Sequence, residues 1–190
     1  MKTLHLLTAA LCLLISTAAL AQQDAAATQK AWAAYMTPGP MHEKMAATNG
    51  DWSSTMTFWE SPGAAPQTST GNCSYKMILG GRYQESRFLG DFMGMPFEGI
   101  GTMAYDNARK LFISTWMDNM GTGIIVLEGN WEEAEKAVVL KGKCQDPISG
   151  KPMVVKELLK WQDNNHHSME MFREVDGKEF KDMEIKFTRK

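Results

Sequence analysis

Residues Phe97–Asp106 read FEGIGTMAYD, three residues NAR follow at 107–109, and Lys110–Asp118 read KLFISTWMD. Both runs are short, carry many aromatic and β-branched residues, and are cut off by turn-forming polar residues, which is the pattern of β-strands. The triplet between them is too short for a crossover helix, so the two strands must be antiparallel. The same pattern repeats on both sides. It predicts ten strands at Asp51–Trp59, Ser69–Leu79, Arg82–Gly90, Phe97–Asp106, Lys110–Asp118, Thr122–Trp131, Ala137–Cys144, Met153–Trp161, His166–Val175 and Glu179–Arg189. Every connection is short, including Asp91–Pro96, Asn119–Gly121 and Asp176–Lys178. A meander of ten strands with open edges invites pairing between molecules, and closure abolishes the edges. The reading is all-β: an antiparallel up-and-down barrel of about ten strands behind a short N-terminal helical segment. A curved two-sheet sandwich is the alternative.

Upstream of Gly50 the period changes. Asp24–Met36 is Ala-rich without Gly or Pro and predicts a helix that Asp24 can cap, and Thr37-Pro-Gly-Pro40 stops it. Met41–Ala47 offers further helical turns with Met41 and Met45 on one face. At the very start, Lys2 precedes an apolar run from Leu4 to Leu20, and Ala19-Leu20-Ala21 places small residues where a signal peptidase reads. The expected organisation is a signal peptide at 1–21, a helical segment at 22–49 and a barrel domain at 50–190. The expected location is periplasmic or secreted, with no stable membrane span after cleavage.

The chain has 190 residues, of which 44% are hydrophobic and 22% charged, the balance of one globular domain. Lys and Arg total 20 against 22 Asp and Glu, and no basic run occurs. Nucleic acid is therefore excluded as a partner, because phosphate binding needs clustered cations. No nucleophile elbow, phosphate loop or dinucleotide fingerprint is present. No cofactor, metal site or catalytic residue is read from the sequence, and His166 and His167, adjacent on a strand, face opposite sides and cannot chelate together.

Gly50-Asp51-Trp52, at the start of the first strand, resembles the opening of lipocalin-like barrels, in which the Trp plugs the floor of the cavity. The succession Gly50-Asp-Trp52, Leu79-Gly-Gly-Arg82, Gly94-Met-Pro-Phe97-Glu-Gly99, Tyr105-Asp106, Trp116-Met-Asp118, Gly129, Met169-Glu170 and Met183-Glu184-Ile185 is similar to the bacterial domain-of-unknown-function family number 1579. That resemblance covers about residues 43 to 189 and implies a lipocalin-like, calycin-type barrel without an established activity.

In a meander the loops sort to two ends. One end collects short polar turns, with Trp52 and the preceding helix, and reads as a closed floor. The other carries Phe92, Met93, Met95, Met117 and Met120, and its polarisable thioethers suit a mouth that adapts to a hydrophobic guest. The alternative is that these residues fold over the mouth as a small core of their own. One parity of the strands (Trp52, Ser54, Met56 and Phe58; Cys73, Tyr75 and Met77; Ile125 and Leu127; Val138 and Leu140; Met169 and Met171) should fill or line the interior. Strand 110–118 is ambiguous: either Leu111, Ile113, Thr115 and Met117 face inward, or Phe112, Ser114, Trp116 and Asp118 do. In the second case Trp116 and Asp118 stand near the mouth. In the plainer case Trp116 packs under a loop and Asp118 starts a turn. The candidate ligand-binding residues are Phe92, Met93, Met95, Trp116, Asp118, Met120, Arg87 and Glu170.

Three functions compete: a non-enzymatic barrel holding a small hydrophobic or amphipathic molecule, a hydrolase or isomerase using Glu170 or Asp118 with Arg87, and a filled barrel serving as a protein-interaction scaffold. Glycines 99 and 101 read as strand bends. Cys73 and Cys144 lie on strands two and seven, which do not adjoin in this topology, so both are expected to remain unpaired.

Overall fold

The computed structural model describes residues 24–175 and 177–190. The expected signal peptide, its cleavage site and Asp176 in the last turn lie outside the described residues. The chain divides into two units, Met1–Thr37 and Pro38–Lys190. In the first, helix α1 occupies residues 24–36, as the Ala-rich run predicts, and Thr37 closes it by donating its hydroxyl to the Ala33 carbonyl at 2.6 Å.

The second unit holds a short helix, α2 (Pro40–Ala46), and ten strands: β1 (Gly50–Phe58), β2 (Gln67–Ile78), β3 (Tyr83–Phe92), β4 (Met95–Asp106), β5 (Leu111–Asp118), β6 (Ile125–Glu132), β7 (Ala137–Gln145), β8 (Pro152–Trp161), β9 (His166–Val175) and β10 (Lys178–Arg189). Each strand pairs antiparallel with its sequence neighbours, and β1 pairs with β10 to close the barrel. Closure leaves no strand edge free, which disposes of the two-sheet sandwich. Among the described residues no helix is long and apolar enough to cross a membrane.

Two segments differ from the sequence reading. The sequence pattern makes 91–96 a loop, but β3 and β4 continue through it and leave only Met93 and Gly94 in the turn, both at positive φ (54° and 79°), the backbone of a tight hairpin. Conversely, residues 122–124 do not join β6. Beyond Asp118 the chain stays with β4: Asn119 donates its backbone N–H to the Glu98 carbonyl at 3.0 Å and its side-chain amide to the Pro96 carbonyl at 2.9 Å. That grip delays the turn, and β6 starts at Ile125.

The floor is built where the helix packs against β2, β3 and β4 and where the residues that follow it, 47–49, meet β1 and β10. Pro40 opens α2, and the Gly39 N–H donates to His42 Nδ1 at 3.0 Å, satisfying a donor that the helix start would otherwise leave free. Met45, fully buried, points into the barrel end with Phe112, Val138 and Leu140. Gln84 ties the helix to β3 by donating to the Met45 carbonyl at 2.6 Å and to Thr48 Oγ1 at 3.0 Å. Gly50 takes φ 123°, which admits the chain from α2 into β1, and a Cβ there would stand 2.9 Å from Arg189 Nη1. Trp52 is fully buried and donates its indole N–H to the Thr48 carbonyl at 2.9 Å. Arg189, its register partner on β10, lies 4.2 Å over the indole and donates to the Ala47 and Asn49 carbonyls at 2.8 and 2.6 Å. The last strand thus clamps the helix end to the first strand through one guanidinium.

The cysteines behave as the topology requires. No bond joins Cys73, buried on β2, to Cys144 near the end of β7. Burial pushes the Cys73 thiol up to about 12, so it acts as a small hydrophobe.

Candidate functional site

The barrel is hollow. Between the floor and the open end lies a cavity of about 300 Å³. Its wall follows the inward parity of the strands: Met56 on β1, Tyr75 on β2, Phe88 on β3, Leu127 on β6, Met169 and Met171 on β9, Ile185 and Phe187 on β10. The filled-barrel scaffold loses its premise here.

On β5 the ambiguous parity resolves toward Phe112, Ser114, Trp116 and Asp118. Phe112 is buried in the floor cluster, and the other three line the cavity. Trp116 lies nearly parallel to Phe97 (centroids 6.3 Å apart, planes 18°) and edge-on to Phe88 at 5.1 Å. Its indole N–H donates to Asp118 Oδ2 at 2.7 Å, and Asp118 Oδ1 accepts the Met120 N–H at 2.9 Å. Asp118 therefore starts a turn, as the plainer reading had it, while also locking an inward-facing Trp116. Phe92 adds to the aromatic rim through Phe97 (6.3 Å) and Phe58 (5.8 Å).

Of the eight candidate residues, Phe92, Trp116, Asp118 and Met120 come together around the open end of the cavity. Four do not. Met93 sits in the hairpin turn and Met95 at its tip, 60% and 50% exposed, because the strands extend beyond the barrel wall there. Arg87 lies on the outward parity of β3 and pairs with Glu85 at 3.1 Å. Glu170, outward on β9, is held by Lys160 at 2.7 Å and Lys181 at 3.3 Å. These are cross-strand and same-strand ion pairs on the outer face, so the proposed combination of Arg87 with Glu170 or Asp118 has no common pocket. Arg173 is likewise committed, to Asp182 at 3.2 Å.

The polar groups that do share the cavity are others. His167, on the same parity as Met169 and Met171, is 7% exposed. It stacks on Phe187 (4.2 Å, 14°), meets Trp52 edge-on at 4.3 Å, and places Nε2 3.2 Å from the Tyr75 hydroxyl. Its Nδ1 is buried without a hydrogen-bond partner among the described residues. Burial, with the nearby Arg189 charge, lowers its pKa from 6.5 to about 4, so the ring is neutral. Burial also raises Tyr75 well above the phenol range. Glu157 on β8 faces the same space, and desolvation raises its carboxyl to about 7. Among the described residues no group of three or more His, Cys, Asp or Glu stands ready to hold a metal ion.

Residues 37–189 match the family described as "Protein of unknown function (DUF1579)". The chain belongs to that family. Among solved structures, Rv2717c from M. tuberculosis is similar at 11% identity with a TM-score of 0.57, covering 81% of this chain and 99% of that one, and the likeness is one of fold. A redesigned β barrel aligns at 15% identity and TM-score 0.40 over 77% of this chain and 94% of its own. EF1p2_mFAP2b, solved bound to DFHBI, aligns at 10% identity and TM-score 0.45 over 80% and 100%. No curated protein matches the chain.

In this DUF1579 chain the two glycines read as strand bends have a more specific task. Gly101 is the register partner of Trp116 and Gly99 that of Asp118. A Cβ on Gly99 would stand 2.3 Å from the indole, and one on Gly101 3.3 Å from it. The bare backbone of β4 is the shelf on which Trp116 lies. Gly99→Ala should displace the indole, shift the tryptophan emission and destabilise by about 1–3 kcal/mol. An unchanged emission spectrum and urea midpoint would contradict the shelf. His167 was legible from the parity of Met169 and Met171. Glu157 was legible from its place between Val155, Leu159 and Trp161, with Lys156, Leu158 and Lys160 on the other face.

Proposed function

We propose that the chain is a secreted, non-enzymatic, lipocalin-like barrel that takes a small apolar or amphipathic molecule into its interior, in the periplasm or outside the cell. The observation that carries this is the cavity of about 300 Å³, walled by aromatic and methionine side chains and shut at one end by α2 and Trp52. Ligand sites are concave, mostly apolar and equipped with few polar groups, and this volume falls at the lower end of their usual range. Methionines 56, 169, 171 and 183 in the wall suit a guest of irregular outline, because unbranched thioethers repack at little cost. The export reading comes from Met1–Ala21.

Titration with a neutral apolar fluorescent probe tests the proposal. Binding should weaken about tenfold in Phe92→Asp, which sets a carboxylate in the aromatic rim. Glu132→Lys and Glu133→Lys, at the floor end, should change it less than about threefold, and Met95→Asp, at the exposed hairpin tip, should do the same. Equal losses at both ends, or no saturable binding, would sink the proposal.

A further inference from the structure

Of the two carboxyls that line the cavity, Glu157 is the one that no donor among the described residues serves. Its neighbours along the inward face of β8 are Val155 and Leu159, and its register partners are Leu140 on β7 and Met171 on β9. No hydrogen bond or ion pair to its carboxyl exists among the described residues. The other acid of the lining, Asp118, is already used by Trp116 and Met120. The flanking Lys156 and Lys160 point to the outer face, where they hold Glu179 and Glu170. Among the described residues no Lys or Arg lines the cavity. His167 on the neighbouring β9, Tyr75 on β2 and Gln84 on β3 share the space, none of them positively charged near neutral pH, and Gln84 is engaged with the floor helix.

A buried carboxylate without a partner is costly, and proteins retain one where something supplies the missing donor. We infer that the barrel is selective for an amphipathic amine, a molecule with a compact apolar body and one ammonium group that pairs with Glu157. This rests on the proposed carrier function and specifies its ligand class. The wall supplies apolar contact, and among the described lining residues Glu157 supplies the carboxylate that lacks a hydrogen-bond donor, in surroundings of low polarity where a charge-assisted hydrogen bond is strong. His167 stays neutral above about 4 and therefore does not repel the cation. Because burial brings Glu157 to about 7, the amine should bind better as pH rises through that value, while an alkylammonium, with a lysine-like pKa, keeps its charge.

The test is displacement of the neutral fluorescent probe by n-octylammonium and by n-octanol, in wild type and Glu157→Gln, at about pH 6 and about pH 8.5. At the higher pH the ammonium should bind about tenfold or more tighter than the alcohol, and Glu157→Gln should erase that advantage while leaving octanol within about threefold. At the lower pH the wild-type advantage should shrink by about tenfold. Equal affinities for both compounds, unaffected by Glu157→Gln, would overturn the amine inference and leave the carrier function standing. A preference for octanol that grows as pH falls would overturn it in favour of a protonated Glu157 donating to a neutral acceptor. Failure of the probe and of both compounds to bind would overturn the carrier function itself.

Discussion

Trp52→Ala is expected to cost about 3–5 kcal/mol of folding stability, the range for deleting a large buried aromatic ring. The indole is fully buried and sits in a cluster with Cys73, Ile185 and Phe187. Its removal opens a cavity beneath α2, leaves the Thr48 carbonyl without its donor, and strips Arg189 of the ring it covers at 4.2 Å. Because Arg189 also holds the Ala47 and Asn49 carbonyls, the loss spreads to the attachment of the helix. Trp52→Phe keeps most of the apolar volume and loses the N–H, so it should cost less. Trp32→Ala, at a residue 58% exposed, should change stability by less than about 0.5 kcal/mol. Urea denaturation of the three variants checks the order. A Trp52→Ala midpoint equal to that of Trp32→Ala would refute the clamped floor.

Glu157→Gln is expected to stabilise the protein at and above neutral pH by up to about 3 kcal/mol, and to leave it unchanged near pH 4. Burial raises the Glu157 carboxyl from 4.5 to about 7, so the folded state keeps a proton that the unfolded chain releases. The stability this group provides is complete below about 4.5 and is lost as pH rises to about 7. His167 works in the opposite sense. Its pKa falls from 6.5 to about 4, so its contribution is complete above 6.5 and is lost as pH falls to about 4. The two slopes, each about 1.4 kcal/mol per pH unit, oppose each other where the windows overlap. Of these two slopes, Glu157→Gln keeps only that of His167. The difference between variant and wild type removes every other titrating group, and it should grow between about pH 4.5 and pH 7 and then level off. A difference that does not depend on pH would show that the carboxyl is not desolvated.

The strands were legible because the barrel imposes period two on nearly every one of them. Where the wall is apolar inside and charged outside, as with Met169 and Met171 against Glu170, alternation alone names the face. It was less informative on β5, where Phe112 and Trp116 on one parity compete with Leu111 and Ile113 on the other. Register decides that case: two glycines on β4 lie opposite Trp116 and Asp118, and only the pairing of separate strands brings them there. The mouth was misjudged in extent because Met93-Gly94 is a tight turn and the flanking residues continue the ladder, an outcome set by backbone geometry that hydrophobicity does not report. Arg87 and Glu170 were placed in the site by their charge, and their outward parity places them elsewhere. Glu157 and His167 were passed over for the complementary reason: polar residues on an apolar face look like exceptions in a sequence, and a hollow interior is where such exceptions cluster.

Native mass spectrometry of the protein purified from the cells that make it tests the central claim most directly. A chain beginning at Gln22 is expected to carry a small additional mass, released on unfolding and displaced by n-octylammonium. The bare chain mass alone, both as purified and after incubation with n-octylammonium and n-octanol, would contradict a barrel built to hold a guest.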